Sequence, residues 1–271
     1  MAGSALNFID MGEGAHPVVL IHGFTCDLSS WDEQLSVFAS QHRCIAMDLP
    51  GHGSSTDSAE ASIEALAAAA NDVLSDLNVE TAVLVGHSMG CRVISEMCSQ
   101  SPTRVAGLVY VDGSITSSSD VEASVSRAKE TIERDGMAKF VEALYEGFFV
   151  DSTPAAARQR VMSGLQHVRL EFAKRLWPNV VRWDGGRSRK VLASIKAPVL
   201  VIQSTKLDPD LNRTSLAPGQ STPWVDAVSQ AISDVTLETI QGVGHFPMME
   251  APRQTNDAIL AFIQKLAQDT V

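Results

Sequence analysis

The chain has 271 residues, 45% of them hydrophobic, which suits one large domain or a core carrying an inserted subdomain. A formal net charge of −11 argues against nucleic acid and anionic membrane surfaces as partners, and the sequence has no run of about 18 apolar residues that could form a membrane span. The N-terminal stretch lacks a basic region followed by an apolar one, and the four cysteines (Cys26, Cys44, Cys91 and Cys98) show neither metal-ligand spacing nor a dense framework, so a cytoplasmic setting with reduced thiols is expected.

In chain order, short apolar runs alternate with helical patterns. Val18–Ile21, Cys44–Met47, Ala82–Val85, Val105–Val111 and Val199–Ile202 read as strands apolar on both faces, as in a parallel sheet covered by helices. Helices are expected over about 59–77, 88–100 and 252–267, the second with Pro102 just past its end. This alternation predicts an α/β doubly wound, mostly parallel sheet.

Residues 115–190 break the rhythm. They contain no convincing strand, and they carry 13 of the 21 Lys and Arg against 10 of the 32 Asp and Glu, a local +3 beside −14 for the remainder. Ser119 to Glu122 reads as a capping box opening a helix to about Asp135. Further helices are expected over about 137–149, after Thr153-Pro154 with Pro at the first helical position, and over about 171–177. The division expected is a core of 1–114 and 191–271 with an all-helical insertion at 115–190.

The strand Ala82–Val85 runs into Gly86-His87-Ser88-Met89-Gly90, and a helix follows. A sharp strand–turn–helix of this kind lifts a serine to the carboxyl end of a sheet and to a helix N-terminus, where free N–H groups can bind developing negative charge. An ordinary turn with a serine N-cap would look similar, so the neighbours matter. Leu20-Ile21-His22-Gly23-Phe24 is a strand ending that can aim the Phe24 N–H at the same place as the Met89 N–H. Asp48 to Ser55 is a glycine-rich loop after another strand, and Gly242-Val243-Gly244-His245 sets a histidine in a flexible loop before the last helix.

With these motifs the chain resembles the α/β-hydrolase fold superfamily over essentially its whole length. It is similar to the lipase, esterase and lactonase branch carrying H-G-[FG], D-x-P-G-x-G-x-S, G-H-S-M-G and a late G-x-G-H. The resemblance implies Ser88 as nucleophile, His245 as general base, the Phe24 and Met89 N–H groups as an oxyanion hole, and residues 115–190 as a cap over the site.

A histidine base needs a carboxylate to hold its tautomer. Asp112 ends the strand Val105–Val111, and Asp208 follows the strand Val199–Ile202. Most of the family places the acid after the later strand in G-x-x-D. Here Ser204 replaces that glycine and the aspartate position falls on Leu207, one residue short of Asp208. Other branches take the acid where Asp112 stands. Both remain open, with Asp112 preferred.

His22, His52 and His87 read as structural hydrogen-bonders, and Cys91 and Cys98 as core. Phe148, Phe149, Trp177 and Trp183 are aromatics of the insertion, either its own core or the lining of an apolar substrate pocket. Trp31, Trp224 and the polar stretch 212–223 receive no role. There is no dinucleotide fingerprint, phosphate loop or metal cluster, so neither cofactor nor metal is expected, and a homo-oligomer is left open.

The reading favoured is a serine hydrolase of carboxylic esters or lactones of small to medium, fairly apolar molecules. Epoxide hydrolase and haloalkane dehalogenase chemistry needs a carboxylate at position 88. Carbon–carbon bond hydrolases of the meta-cleavage type usually carry Asn where His87 stands and rank second, ahead of cofactor-free dioxygenases and perhydrolases. A non-catalytic receptor or scaffold with a relic triad is disfavoured by the intact Ser, His and acid candidates.

Overall fold

The computed structural model describes residues 6–14, 16–58, 60–116, 118–208 and 210–269. In chain order the elements are β1 (Phe8–Met11), β2 (Val18–Ile21), α1 (Asp32–Phe38), β3 (Cys44–Met47), α2 (Ile63–Asp76), β4 (Ala82–His87), α3 (Met89–Gln100) and β5 (Val105–Val111). A helical block follows: α4 (Val121–Asp135), α5 (Met137–Glu146), α6 (Ala155–Ser163), α7 (Leu170–Gly186) and α8 (Ser188–Ser194). The chain then returns through β6 (Val199–Gln203), β7 (Thr205–Leu207), β8 (Arg213–Ser215), α9 (Pro223–Ala231), β9 (Val235–Thr239), α10 (Pro247–Glu250) and α11 (Pro252–Asp269).

Seven strands form one sheet in the order β1-β3-β2-β4-β5-β6-β9, parallel except for β1. β2, β3, β4 and β6 are buried throughout, as strands apolar on both faces and covered by helices must be. The chain reverses its strand order around β2 and β4, so the loops leaving their carboxyl ends diverge and open a crevice there. Among the described residues, no helix is long and apolar enough to cross a membrane.

The helical block is locked to the core from behind. Arg92 on α3 makes a two-point pair with Asp184 on α7, at 2.7 and 2.8 Å. One turn further along α3, the buried Glu96 accepts from Trp183 Nε1 (3.0 Å) and Arg187 Nε (2.9 Å). Stranding one partner of a buried pair such as Arg92–Asp184 costs about 3–5 kcal/mol, so this end of the block is fixed.

Several expectations are corrected. The N-cap of α4 is Asp120, accepting from Ala123 N, rather than Ser119. Pro154 occupies the N-cap position of α6, while Thr153 Oγ1 accepts from Val150 N one turn earlier. α7 continues past Pro178; the carbonyl deprived of its donor belongs to Lys174, an exposed residue. The strands β1 and β9 lie at the sheet edges, β1 half exposed and β9 mostly exposed, so they carry no apolar run to announce them. β7 and β8 form a separate antiparallel pair of three residues each. The expected start of α2 at residue 59 lies outside the described residues; the helix is capped by Ser62, which accepts from Ala65 N.

Candidate active site

Ser88 stands between β4 and α3 with φ 53°, in the left-handed region that non-glycine residues seldom adopt. The glycines on either side permit this turn. A Cβ on Gly86 would lie 2.4 Å from the Gly90 carbonyl oxygen, and one on Gly90 would lie 2.4 Å from that of Ile21. Any larger residue would force strand and helix apart. Ser88 stays half exposed in otherwise buried surroundings.

His245 joins Ser88 to Asp112. Its Nε2 lies 3.0 Å from Ser88 Oγ, and its Nδ1 lies 2.7 Å from Asp112 Oδ2. An ionised Asp112 only accepts, so the imidazole proton belongs on Nδ1 and the Nε2 lone pair faces the serine hydroxyl. The loop bearing His245 reads as flexible in sequence but is pinned on every side. His245 N donates to Phe148 O, His87 Nε2 donates to His245 O, and Glu250 accepts from the N–H groups of Gly244 and Phe246. The imidazole packs between the rings of His87 and Phe148, with centroids 4.6 and 4.7 Å away.

Asp112 is fully buried and, like Ser88, adopts a positive φ (45°). That turn drops its carboxylate across the end of β6. Oδ1 accepts from the backbone N–H groups of Ser204 (2.9 Å) and Thr205 (2.8 Å), and from Gln203 Nε2 (3.1 Å). Oδ2 accepts from Thr205 Oγ1 (2.6 Å) and Arg213 Nη1 (3.1 Å) besides His245. Burial works to raise the carboxyl pKa, but His245, Arg213 and Thr205 together outweigh it and hold the pKa below its ordinary value. The His245 pKa is lowered first by burial and then by the Arg213 charge, against the opposing pull of Asp112.

Asp208 takes no part in this arrangement. It is partly exposed, and its carboxylate accepts from Asp210 N, Asn212 N and Asn212 Nδ2, closing the turn between β7 and β8. The carboxylate bonded to His245 is therefore Asp112. The tail of β6 supplies hydrogen-bond donors rather than an acid.

Two backbone segments adjoin the serine. Met89 is the first residue of α3, so its N–H has no carbonyl within the helix to bond. Phe24 follows Gly23, where a Cβ would sit 3.2 Å from that of Ser88; the β2 loop thus passes against the serine. The arrangement can present a hydroxyl to an electrophile, take its proton and receive negative charge.

The four aromatics separate. Phe148 lies on His245, and Trp177 packs on Phe24 with centroids 5.1 Å apart. Phe149 is covered by the Arg158 guanidinium, 4.3 Å from its centroid, and Trp183 is bonded to Glu96 behind the site. The contacts of Phe149 and Trp183 thus belong to the helical block and its anchor rather than to a substrate surface. His22 (to Gly23 O and Leu49 N), His52 (to Pro50 O) and His87 (to His245 O) are hydrogen-bonded to backbone groups, His22 and His87 tying their loops to neighbouring ones.

Sequence reasoning missed Arg213 and the Gln203–Thr205 cradle. Arg213 is the sole ionisable residue of the stretch 212–223, the one signal that could have singled it out. β8 brings it in against β7, buried, with Nη1 on Asp112 and Nη2 3.4 Å from His245 Nε2.

A thermophilic esterase from Thermogutta terrifontis superposes with TM-score 0.80 at 24% identity, covering 96% of this chain and 93% of its own. Est816, described as an N-acyl homoserine lactone degrading enzyme, superposes with TM-score 0.75 at 25% identity, covering 95% and 96%. In sequence, the dihydrolipoyllysine-residue acetyltransferase component of an acetoin cleaving system from Pseudomonas putida is 28% identical over 98% of this chain and 68% of its own length. The family model described as "Alpha/beta hydrolase family" matches residues 18–258, nearly the whole sheet and the arrangement around Ser88, and the chain belongs to that family.

Proposed function

We propose that this protein is a serine hydrolase of carboxylic esters or lactones. The observation that carries the reading is His245 bridging Ser88 Oγ at 3.0 Å and Asp112 at 2.7 Å, at the mouth of a strained strand–helix turn. Ser88 Oγ attacks the acyl carbon while its proton passes to His245 Nε2, and the carbonyl oxygen becomes an oxyanion received by the Phe24 and Met89 N–H groups. The bond to the leaving oxygen then breaks as His245 returns the proton to it. Water, deprotonated by His245, releases the acid from Ser88 by the same steps. Asp112 holds the tautomer and stabilises the imidazolium without itself taking the proton.

In this reading residues 115–190 are a cap and residues 1–114 and 191–271 the core. The cap's front contacts the reacting groups through Phe148 on His245, Trp177 on Phe24, and Tyr145, whose hydroxyl donates to Thr25 O at 2.9 Å. These rings favour small to medium apolar acyl or alcohol groups. The esterase and the lactone-degrading enzyme among the structural relatives support ester and lactone substrates.

A panel of p-nitrophenyl esters and lactones, assayed with the wild-type protein and Ser88→Ala, tests the reading. Turnover of at least one class is expected, with kcat reduced about 10³-fold or more by the substitution. A folded Ser88→Ala protein that keeps most of its activity would refute it.

A further inference from the structure

The guanidinium of Arg213 is the least expected group at the site. Its side chain is 3% exposed. Nη1 lies 3.1 Å from both Asp112 Oδ2 and Thr205 Oγ1, Nη2 lies 3.3 Å from Ser114 Oγ and 3.4 Å from His245 Nε2, and Nε has no partner. A cation so placed has two effects. It shares Asp112 Oδ2 with His245, which holds the carboxylate against the imidazole. It also sets a like charge beside any imidazolium.

We infer that Arg213 is a positioning residue of the triad, clamping Asp112 and keeping His245 neutral at rest so that Nε2 stays free for the Ser88 proton. The inference rests on the proposed roles of Ser88, His245 and Asp112. Its logic is a charge inventory. At rest Arg213 and Asp112 cancel. Protonation of His245 from solvent would leave one uncompensated positive charge in a buried place. Proton transfer from Ser88 during attack creates an oxyanion together with the imidazolium, and the balance returns to zero. Arg213 therefore penalises the unproductive protonation more than the productive one. The N–H contact at 3.4 Å is also longer than the serine contact at 3.0 Å, so it does not take the Nε2 lone pair from Ser88.

Among the other charged or titratable groups around His245, Arg92 alone acts in the same direction, and less than Arg213. Asp112, from the end of β5, favours the imidazolium. His87, from the end of β4, is itself held neutral by burial. Arg92, on α3, is paired with Asp184, and Glu250, on α10, is used by the Gly244 and Phe246 N–H groups.

The test is an NMR titration of the His245 imidazole, assigned by loss of its signals in His245→Ala, in wild type, Arg213→Met and Arg213→Lys. It does not depend on turnover. In Arg213→Met the His245 midpoint should rise by about 1–3 pH units, while Arg213→Lys, which keeps the charge, should stay near wild type. For any ester turned over, the acid limb of kcat/KM should rise with the midpoint, and the loss at low pH should fall on kcat rather than KM. Should Arg213→Met fail to fold, Arg213→Gln gives the same comparison. An unchanged midpoint in a folded neutral variant overturns the inference. A shifted midpoint in a protein that hydrolyses no ester or lactone upholds Arg213's effect on His245 and instead overturns the proposed function.

Discussion

Two neighbouring parallel strands end in loops that carry an aspartate, and they use it in opposite ways. At the end of β5, Asp112 is buried, turned by a positive φ and surrounded by seven donor groups, one of them His245. Beyond β6, Asp208 is partly exposed and serves its own turn. The difference lies in what surrounds the two carboxylates. The β6 tail spends its backbone N–H groups on Asp112, so the later strand still contributes to the acid site, but as a cradle for the carboxylate of its neighbour.

The largest test of that contrast is Asp112→Asn. An amide there cannot fix the Nδ1–H tautomer, and kcat should fall about 10⁴-fold. Retention of wild-type kcat would dissolve the distinction between the two corners. A smaller effect comes from the cradle. Thr205→Val removes the 2.6 Å hydroxyl bond to Asp112 Oδ2 but leaves both backbone donors, and kcat should drop about tenfold, equivalent to about 1.4 kcal/mol. A value equal to wild type would mean that the cradle is redundant.

The buried corner should also leave a pH signature above the acidic range in which the lowered pKa of Asp208 acts. Burial lowers the pKa of His87 and His245, and of the nearby His22 and His52, below an unfolded value of about 6.5. Below pH 6.5 the unfolded chain binds protons that the folded one refuses, so stability is fully present above that pH and is lost as pH falls toward the folded values. The Tm should decline by about 5 °C or more between pH 7 and pH 5. A flat profile would contradict the neutral, buried histidines. The smallest effect is expected at the turn: Asp208→Asn should leave kcat within about twofold of wild type and shift Tm by less than about 2 °C. A collapse of kcat there would reverse the comparison.

Much of this architecture is written locally. Five of the seven sheet strands are continuous apolar runs, and the two glycines around Ser88 mark a turn that needs them. The late His245 could be placed by its order in the chain. The edge strands β1, half exposed, and β9, mostly exposed, lack that signal. The choice between Asp112 and Asp208 depends on one backbone turn and on donors about 90 residues away, which spacing alone does not encode. Arg213 was hidden for the same reason. Its stretch looks like a polar surface loop, and only the pairing of β8 with β7 carries it inward. Trp183 and Phe149 show the converse limit: an aromatic in a helical insertion says nothing of which face of that insertion it serves.

The central claim is that Ser88 is a nucleophile activated by His245. A fluorophosphonate probe measures this directly, because it reacts with a serine only where a base removes the proton and the phosphoryl oxygen is received. After labelling of the wild-type protein and peptide mapping by mass spectrometry, the account predicts one covalent adduct, on Ser88, abolished in Ser88→Ala and strongly slowed in Asp112→Asn. An unlabelled Ser88 in folded protein, or an adduct carried by a different residue, would contradict it.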